Sequence, residues 1–295
     1  MKLPNFIIIG VQKAGTTSIY SYLKEHPQIY MSPVKETNFL EKDWSRIEGG
    51  KKPRIDTFEK YCQLFEGVQD EIAIGEASPN YLFHYESSTE QILRYVPQAK
   101  LIAILRDPVE RAYSDYLMHI RDVIGNGKHT SFSEQIKFKA NKSFIILKGF
   151  YYSHLSYFYE KFDREQIKVY LYEDLCKNPS GFMQEMYGFI GVDDEFEPDV
   201  ARKAQVAEVP KVNFINTLLR KQNPLRTAVA SGLRDIVPLE TRQAIRSKLL
   251  AMNSQDKKAA PLSREDRQQL IEVYREDILK LQDLIQRDLS AWLKV

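Results

Sequence analysis

Apolar residues in this chain come in two forms, and the two alternate. Short, nearly continuous runs, Phe6-Ile7-Ile8-Ile9-Gly10, Ile72-Ala73-Ile74-Gly75-Glu76-Ala77, Lys100-Leu101-Ile102-Ala103-Ile104-Leu105 and Ile167-Lys168-Val169-Tyr170-Leu171-Tyr172, each carry β-branched residues. Such runs fit strands buried on both faces. Gln28-Ile29-Tyr30-Met31 adds a shorter one. Between them the apolar positions move to helical spacing: Ser18 to Lys24, Phe58 to Phe65, Ile92 to Val96, the stretch after Pro108, a longer amphipathic segment from Gly149 through Leu155, Phe158 and Phe162, and Phe182 to Ile190. Strands alternating with helices predict βαβ units and a doubly wound parallel α/β sheet. Further on, Ala201 to Asn216 is polar and poor in strands, and the rest is helical: Glu240 to Met252, then Ser263 to Leu293. In that last segment Leu270, Val273, Tyr274, Ile278, Leu281, Leu284, Ile285, Leu289 and Trp292 form one stripe, which reads as core.

Local signals mark where elements start and stop. Asp56-Thr57 caps a short helix, Ser87-Ser88-Thr89-Glu90 starts another that Pro97 ends, and Pro108 suits a first helical turn. Ser131 and Glu134 have capping-box spacing, and Asn178-Pro179 opens the helix to Ile190. Lys42 to Pro53 and Ile124 to His129 read as loops.

Composition narrows the picture. The 295 residues carry no Pro/Gly/Ser-rich linker, so a single domain over 1–295 is expected, with an α/β core at 1–200 and a covering loop and helices at 201–295. Forty-two basic and 40 acidic residues leave a net charge of +2, which gives no reason to expect a nucleic acid or an anionic membrane as partner. An anionic ligand must then be held by a local site. Cys62 and Cys176 are far apart and lack CxxC spacing, and the five histidines show no paired spacing, so neither a disulfide framework nor a metal site is expected. Met1-Lys2 leads almost at once into the first strand and no apolar run reaches spanning length, so a cytoplasmic protein is the expectation.

The chemistry concentrates after the first strand. Gly10-Val11-Gln12-Lys13-Ala14-Gly15-Thr16-Thr17-Ser18 is a strand end, a tight turn and a helix start, with the glycine spacing of a phosphate-binding loop. Backbone N–H groups and the helix dipole can converge there on one anion. A nucleotide-hydrolysing loop places Lys directly after the second glycine; here Thr16 follows Gly15, and Lys13 lies inside the loop. That arrangement suits a single 5′-phosphate, with Lys13 reaching whatever is attached to it. The third long strand ends in Arg106-Asp107-Pro108, where a magnesium-dependent hydrolase would more naturally place an acid. An arginine there suits a second phosphate, although Arg106 and Asp107 alone would more often form a structural ion pair. Likewise Lys35-Glu36 alone would be an ordinary exposed pair.

Together, Lys13-Ala14-Gly15-Thr16-Thr17-Ser18, the Glu36 segment and Arg106 to Ser114 resemble the sulfotransferases that use 3′-phosphoadenosine 5′-phosphosulfate (PAPS), and lie closest to their heparan-type branch. The resemblance implies a P-loop-like fold with a helical C-terminal part. It implies that Lys13, Ala14, Gly15, Thr16, Thr17 and Ser18 hold the 5′-phosphosulfate, that Arg106 and Ser114 clamp the 3′-phosphate, and that Lys13 and Glu36 are catalytic, Glu36 as base. A tyrosine near the cofactor would be Tyr152, and a basic residue of a late covering loop would be Lys211. Some similar enzymes carry a lysine at the position of Ala77, so a substrate contact made there does not carry over. Glu173 and Asp174 read as structural. The implied reaction moves a sulfuryl group, without metal, from PAPS to a hydroxyl or amine of a glycan or small-molecule natural product. A small-molecule P-loop kinase is the alternative.

Overall fold

The four long apolar runs and the short one become one parallel sheet: β1 (Phe6–Gly10), β2 (Ile29–Met31), β3 (Ala73–Ala77), β4 (Lys100–Leu105) and β5 (Ile167–Leu171), in the order β2-β3-β1-β4-β5. The coordinates are a computed structural model describing residues 2–44, 55–123, 130–199, 209–210, 254–255 and 261–295. Every residue of β1 is buried, and so are all of β4 after Lys100, as continuous apolar strands covered on both faces require. Phe6 is paired with Gly75 on one side and Lys100 on the other, so β1 is the centre of the sheet. From β1 the chain runs outward to β2, returns to β3, then crosses β1 to β4 and β5. The order therefore reverses about β1, and ligand crevices of open α/β sheets form beyond the carboxyl ends of strands at such a point.

The helices among the described residues are α1 (Thr16–Glu25), α2 (Phe58–Gln63), α3 (Tyr85–Tyr95), α4 (Pro108–Val123), α5 (Phe132–Lys139), α6 (Phe144–Leu147), α7 (Tyr151–Lys161), α8 (Tyr172–Lys177), α9 (Pro179–Ile190) and α10 (Arg264–Ile285). Several caps follow the local signals, but α3 starts at Tyr85, two residues before the expected Ser87, with no side-chain cap, so Ser87, Ser88 and Thr89 lie inside the helix. Thr57 accepts from the Lys60 amide, Ser131 and Glu134 close a reciprocal capping box, Asn178 accepts from the Gly181 amide, and Pro108 is the first residue of α4. A two-residue antiparallel ladder joins β6 (Val209–Pro210) to β7 (Ser254–Gln255), where the sequence pattern showed no strand. The helix expected over Glu240 to Met252 lies outside the described residues. No helix among the described residues is long and apolar enough to cross a membrane.

The last helix packs against α7, α5 and α4 and buries Leu270, Ile271, Tyr274, Ile278 and Leu281, so its stripe is core. It does more than fill space. Asp277 accepts from the Tyr152 and Ser153 amides and caps α7, while Arg267 reaches Asp107 at 3.5 Å. The helix stops at Ile285, before the Leu293 that periodicity suggests, because Gln286 takes a left-handed conformation with φ of 54°. The break turns Leu289 and Trp292 back into the core, where the Trp292 ring lies 6.2 Å from that of Tyr151 and its indole donates to Glu173 at 3.2 Å.

Candidate active site

The loop between β1 and α1 is built to present donors. Gly15 occupies the position before the helix with φ of 78°, a conformation glycine adopts without strain, and a Cβ there would meet Leu175 at 2.9 Å. Helix α1 begins at Thr16 with no side-chain cap and no acid in its first turn. Its first N–H groups and the positive end of its dipole are thus left for an outside anion. Ala14 and Thr16 are buried, Ser18 is half-buried and Thr17 is exposed. Lys13 also takes a left-handed backbone, with φ of 70°, and its Nζ lies 3.6 Å from Met118 Sδ on α4.

Arg106 follows the end of β4, the neighbour of β1, and its guanidinium turns to the loop. Nη1 donates to the Lys13 carbonyl at 3.0 Å, Nη2 lies 3.7 Å from Glu110, and the group sits over the Tyr172 ring at 5.0 Å. Residues 110, 114 and 118 recur every four positions on α4 and so share one face. Glu110 at one end of that face meets Arg106 and Met118 at the other meets Lys13, which leaves half-buried Ser114 between the two cations. Asp107 is otherwise employed: Oδ1 accepts from the Val109 and Glu110 amides at 2.8 and 3.3 Å and caps α4, while Arg267 faces Oδ2. Burial raises the Asp107 pKa against these partners.

Glu36 is carried to the same end of the sheet by its backbone. Its amide donates to the carbonyl of Ala77, the last residue of β3, at 2.9 Å, and its φ is 61°. Its carboxylate pairs with Lys35 at 2.7 Å and is 39% exposed, open to an incoming group. The next residue is fastened to a buried hub. The fully buried Glu76 carboxylate accepts from Thr37, Ser78, Tyr81 and Tyr61 hydroxyls at 2.6, 2.5, 2.8 and 2.7 Å. The Asn38 amide donates to Ser78 Oγ at 3.2 Å. Burial, and then the nearby Glu76 charge, holds the Tyr61 and Tyr81 hydroxyls well above the ordinary phenol pKa, so they stay protonated donors.

The resemblance implies a tyrosine of the Gly149 region near the cofactor, with Tyr152 as the candidate. The structure ties Tyr152 to α10, its amide capped by Asp277 and its ring 5.8 Å from Lys280. Tyr151 makes the contact toward the site, its buried hydroxyl donating to the Arg106 carbonyl at 2.9 Å. Gly149 is the signal for this junction, since a Cβ there would meet the Tyr274 ring at 2.7 Å. Lys148, unassigned from the sequence, donates to Gln12 of the loop at 2.6 Å. Lys211 lies outside the described residues. Glu173 and Asp174 are structural as expected: Glu173 accepts from the Asp107 amide at 3.1 Å and Asp174 pairs with Arg287 at 2.8 Å.

Comparison with known proteins converges on one family. A model described as the sulfotransferase domain matches residues 3–229. Carbohydrate sulfotransferase 15 of Mus musculus is 35% identical over 155 residues, covering 39% of this chain and 27% of that protein. The bifunctional heparan sulfate N-deacetylase/N-sulfotransferase 3 of Homo sapiens is 30% identical over 199 residues, covering 65% and 22%. The chain thus spans about a quarter of the length of these curated relatives. A sulfotransferase from Alicyclobacillus acidocaldarius, known from its crystal structure, superposes with a TM-score of 0.71 at 26% identity over 100% of both chains.

Proposed function

This chain belongs to the sulfotransferase domain family, and from that premise we propose that it transfers the sulfuryl group of PAPS to a hydroxyl or amine of a carbohydrate or natural-product acceptor. The observation that carries the reading is the Arg106 guanidinium donating to the Lys13 carbonyl, which joins two cationic segments at the ends of adjacent strands. The donor set fits a bisphosphorylated nucleotide: uncapped amides at the start of α1 with no acid in its first turn, and two flanking cations. The amides of residues 14–18 with Lys13 would hold the 5′-phosphosulfate, and Arg106 with Ser114 the 3′-phosphate. Lys211 would cover the nucleotide from the late loop. Tyr151, through the Arg106 carbonyl, replaces Tyr152 as the tyrosine that shapes this wall.

Bound PAPS would supply the sulfuryl group, with its 5′-phosphate as the leaving group that takes the electron pair of the broken bond when the acceptor bonds to sulfur. Glu36 takes the proton that the acceptor oxygen or nitrogen loses. Lys13 offsets the charge that gathers on the 5′-phosphate. A magnesium-dependent kinase is the weaker reading, because Asp107, the acid nearest the end of β4, is spent on capping α4 and facing Arg267.

A carbohydrate acceptor is favoured by the names of the relatives, carbohydrate sulfotransferase and heparan sulfate N-sulfotransferase. A cytoplasmic location is favoured by two free cysteines, Cys62 and Cys176, and the lack of a spanning helix among the described residues. One domain over 1–295 is favoured by the packing of α10 on α7, α5 and α4. The test is transfer of labelled sulfuryl from PAPS to a panel of glycans and hydroxylated small molecules. Incorporation should occur, and Glu36→Gln should lower kcat by roughly 10²–10⁴-fold while adenosine 3′,5′-bisphosphate still binds. Turnover unchanged in Glu36→Gln would remove that residue from the chemistry, and ATP turnover in place of sulfuryl transfer would favour the kinase.

A further inference from the structure

Lys148 stands out among the charged groups that the proposed chemistry leaves unused. It follows α6, and its place is built by neighbours. Arg111, fully buried on α4, donates to the Ile145 carbonyl, and the buried Tyr274 hydroxyl donates to the Ile146 carbonyl at 2.7 Å. Gly149 lets the chain pass against the Tyr274 ring. Lys148 is half-buried, 5.8 Å over the Phe83 ring, and its hydrogen-bond partner is a neutral amide, Gln12 Oε1 at 2.6 Å. Among the described residues no carboxylate oxygen lies within 4.0 Å of its Nζ. Burial lowers its pKa and Arg111 adds to that, while Asp115, Glu36 and Glu41 oppose it from a distance. A cation removed from water without a paired anion is a costly arrangement, and an arriving anion relieves it.

The position says which anion. Gln12 precedes Lys13 in the phosphate loop, and Phe83, the ring beneath Lys148, lies on the chain leaving β3, so Lys148 stands where the loop meets the segment that follows β3. We propose that Lys148 binds the sulfuryl oxygens of the donor and supplies a second positive charge, beside Lys13, at the point of transfer. This rests on the PAPS reading above. In that role Lys148 forms and breaks no covalent bond. It hydrogen-bonds oxygens that stay on sulfur while the leaving electron pair goes to the 5′-phosphate and the acceptor proton to Glu36.

The discriminating measurement needs no acceptor, because adenosine 3′,5′-bisphosphate lacks the group that Lys148 would touch and PAPS carries it. Affinities for both nucleotides are compared by calorimetry in wild type, Lys148→Met and Lys148→Arg, with thermal unfolding to establish that each variant is folded. Lys148→Met should weaken PAPS by roughly 10- to 100-fold, the range of one charged hydrogen bond, and leave the bisphosphate unchanged. Lys148→Arg should recover part of the loss. Equal weakening of both nucleotides would make Lys148 a support of the loop, and no change in either would leave it without a ligand; each result overturns the assignment. Failure of wild type to bind the bisphosphate would instead overturn the donor reading itself.

Discussion

Lys13 and Glu36, the two residues assigned to the chemistry, both hold backbone conformations that side chains other than glycine's seldom adopt, with φ of 70° and 61°. Asn38, two residues beyond Glu36, is a third at 51°. Such conformations persist only where the surroundings over-determine them, and they gather at functional sites. Around Glu36 that determination is visible: the Ala77 carbonyl fixes its amide, and Thr37 is tied to the buried Glu76 hub. Thr37→Val keeps the shape but removes one donor to a buried carboxylate and the acceptor of the Phe39 amide, 3.2 Å away. It should cost roughly 1–3 kcal/mol of stability in urea unfolding and lower kcat, with nucleotide affinity little changed; unaltered stability would mean that the hub does not hold the segment. At this scale the sequence was informative where chemistry sits on a short contiguous motif. Lys13, Arg106 and Ser114 converge on one corner. Lys148 and Tyr151 were not legible, since their relation to the loop arises only from how α6 and α7 pack across α4 and α10. Glu76 read as a strand residue, and nothing local says that four hydroxyls converge on it.

Among the elements, the strands were read nearly to the residue because continuous apolar runs are both their signal and their cause. The sheet order needs the crossovers, which no run of residues displays. The end of α10 was missed because Gln286 is an ordinary helix former that tertiary packing bends. Helix α7 joins the halves of the site wall, with Tyr151 directed to Arg106 and His154 packed on the other side against Tyr85, ring centroids 5.2 Å apart. Burial, then the positive charge of Arg111 and the neighbouring His84, depresses the His154 pKa to about 4, from the ordinary imidazole value of about 6.5. The neutral ring is therefore the folded form. Its contribution is complete above pH 6.5 and is lost as pH falls toward 4, by roughly 3 kcal/mol at the limit. Urea unfolding between pH 7 and 4 should show wild type losing stability relative to His154→Phe, which keeps the ring and cannot protonate. Parallel pH curves for the two proteins would contradict the buried neutral histidine.

For the whole molecule, a net charge of only +2 conceals a local concentration of cations. Lys13, Arg106 and Lys148 come from the ends of β1 and β4 and from the segment after α6, and the reversal of strand order about β1 directs the first two to one crevice. The C-terminal helix belongs to this arrangement, since it caps α7 through Asp277 and faces the α4 cap through Arg267. Calorimetric titration with adenosine 3′,5′-bisphosphate, magnesium absent, tests the central claim most directly. Wild type should bind one equivalent, and Arg106→Ala should bind roughly 10- to 100-fold more weakly. No heat of binding in wild type, or equal affinity in the two proteins, would contradict the pair of phosphate grips on which the assigned chemistry depends.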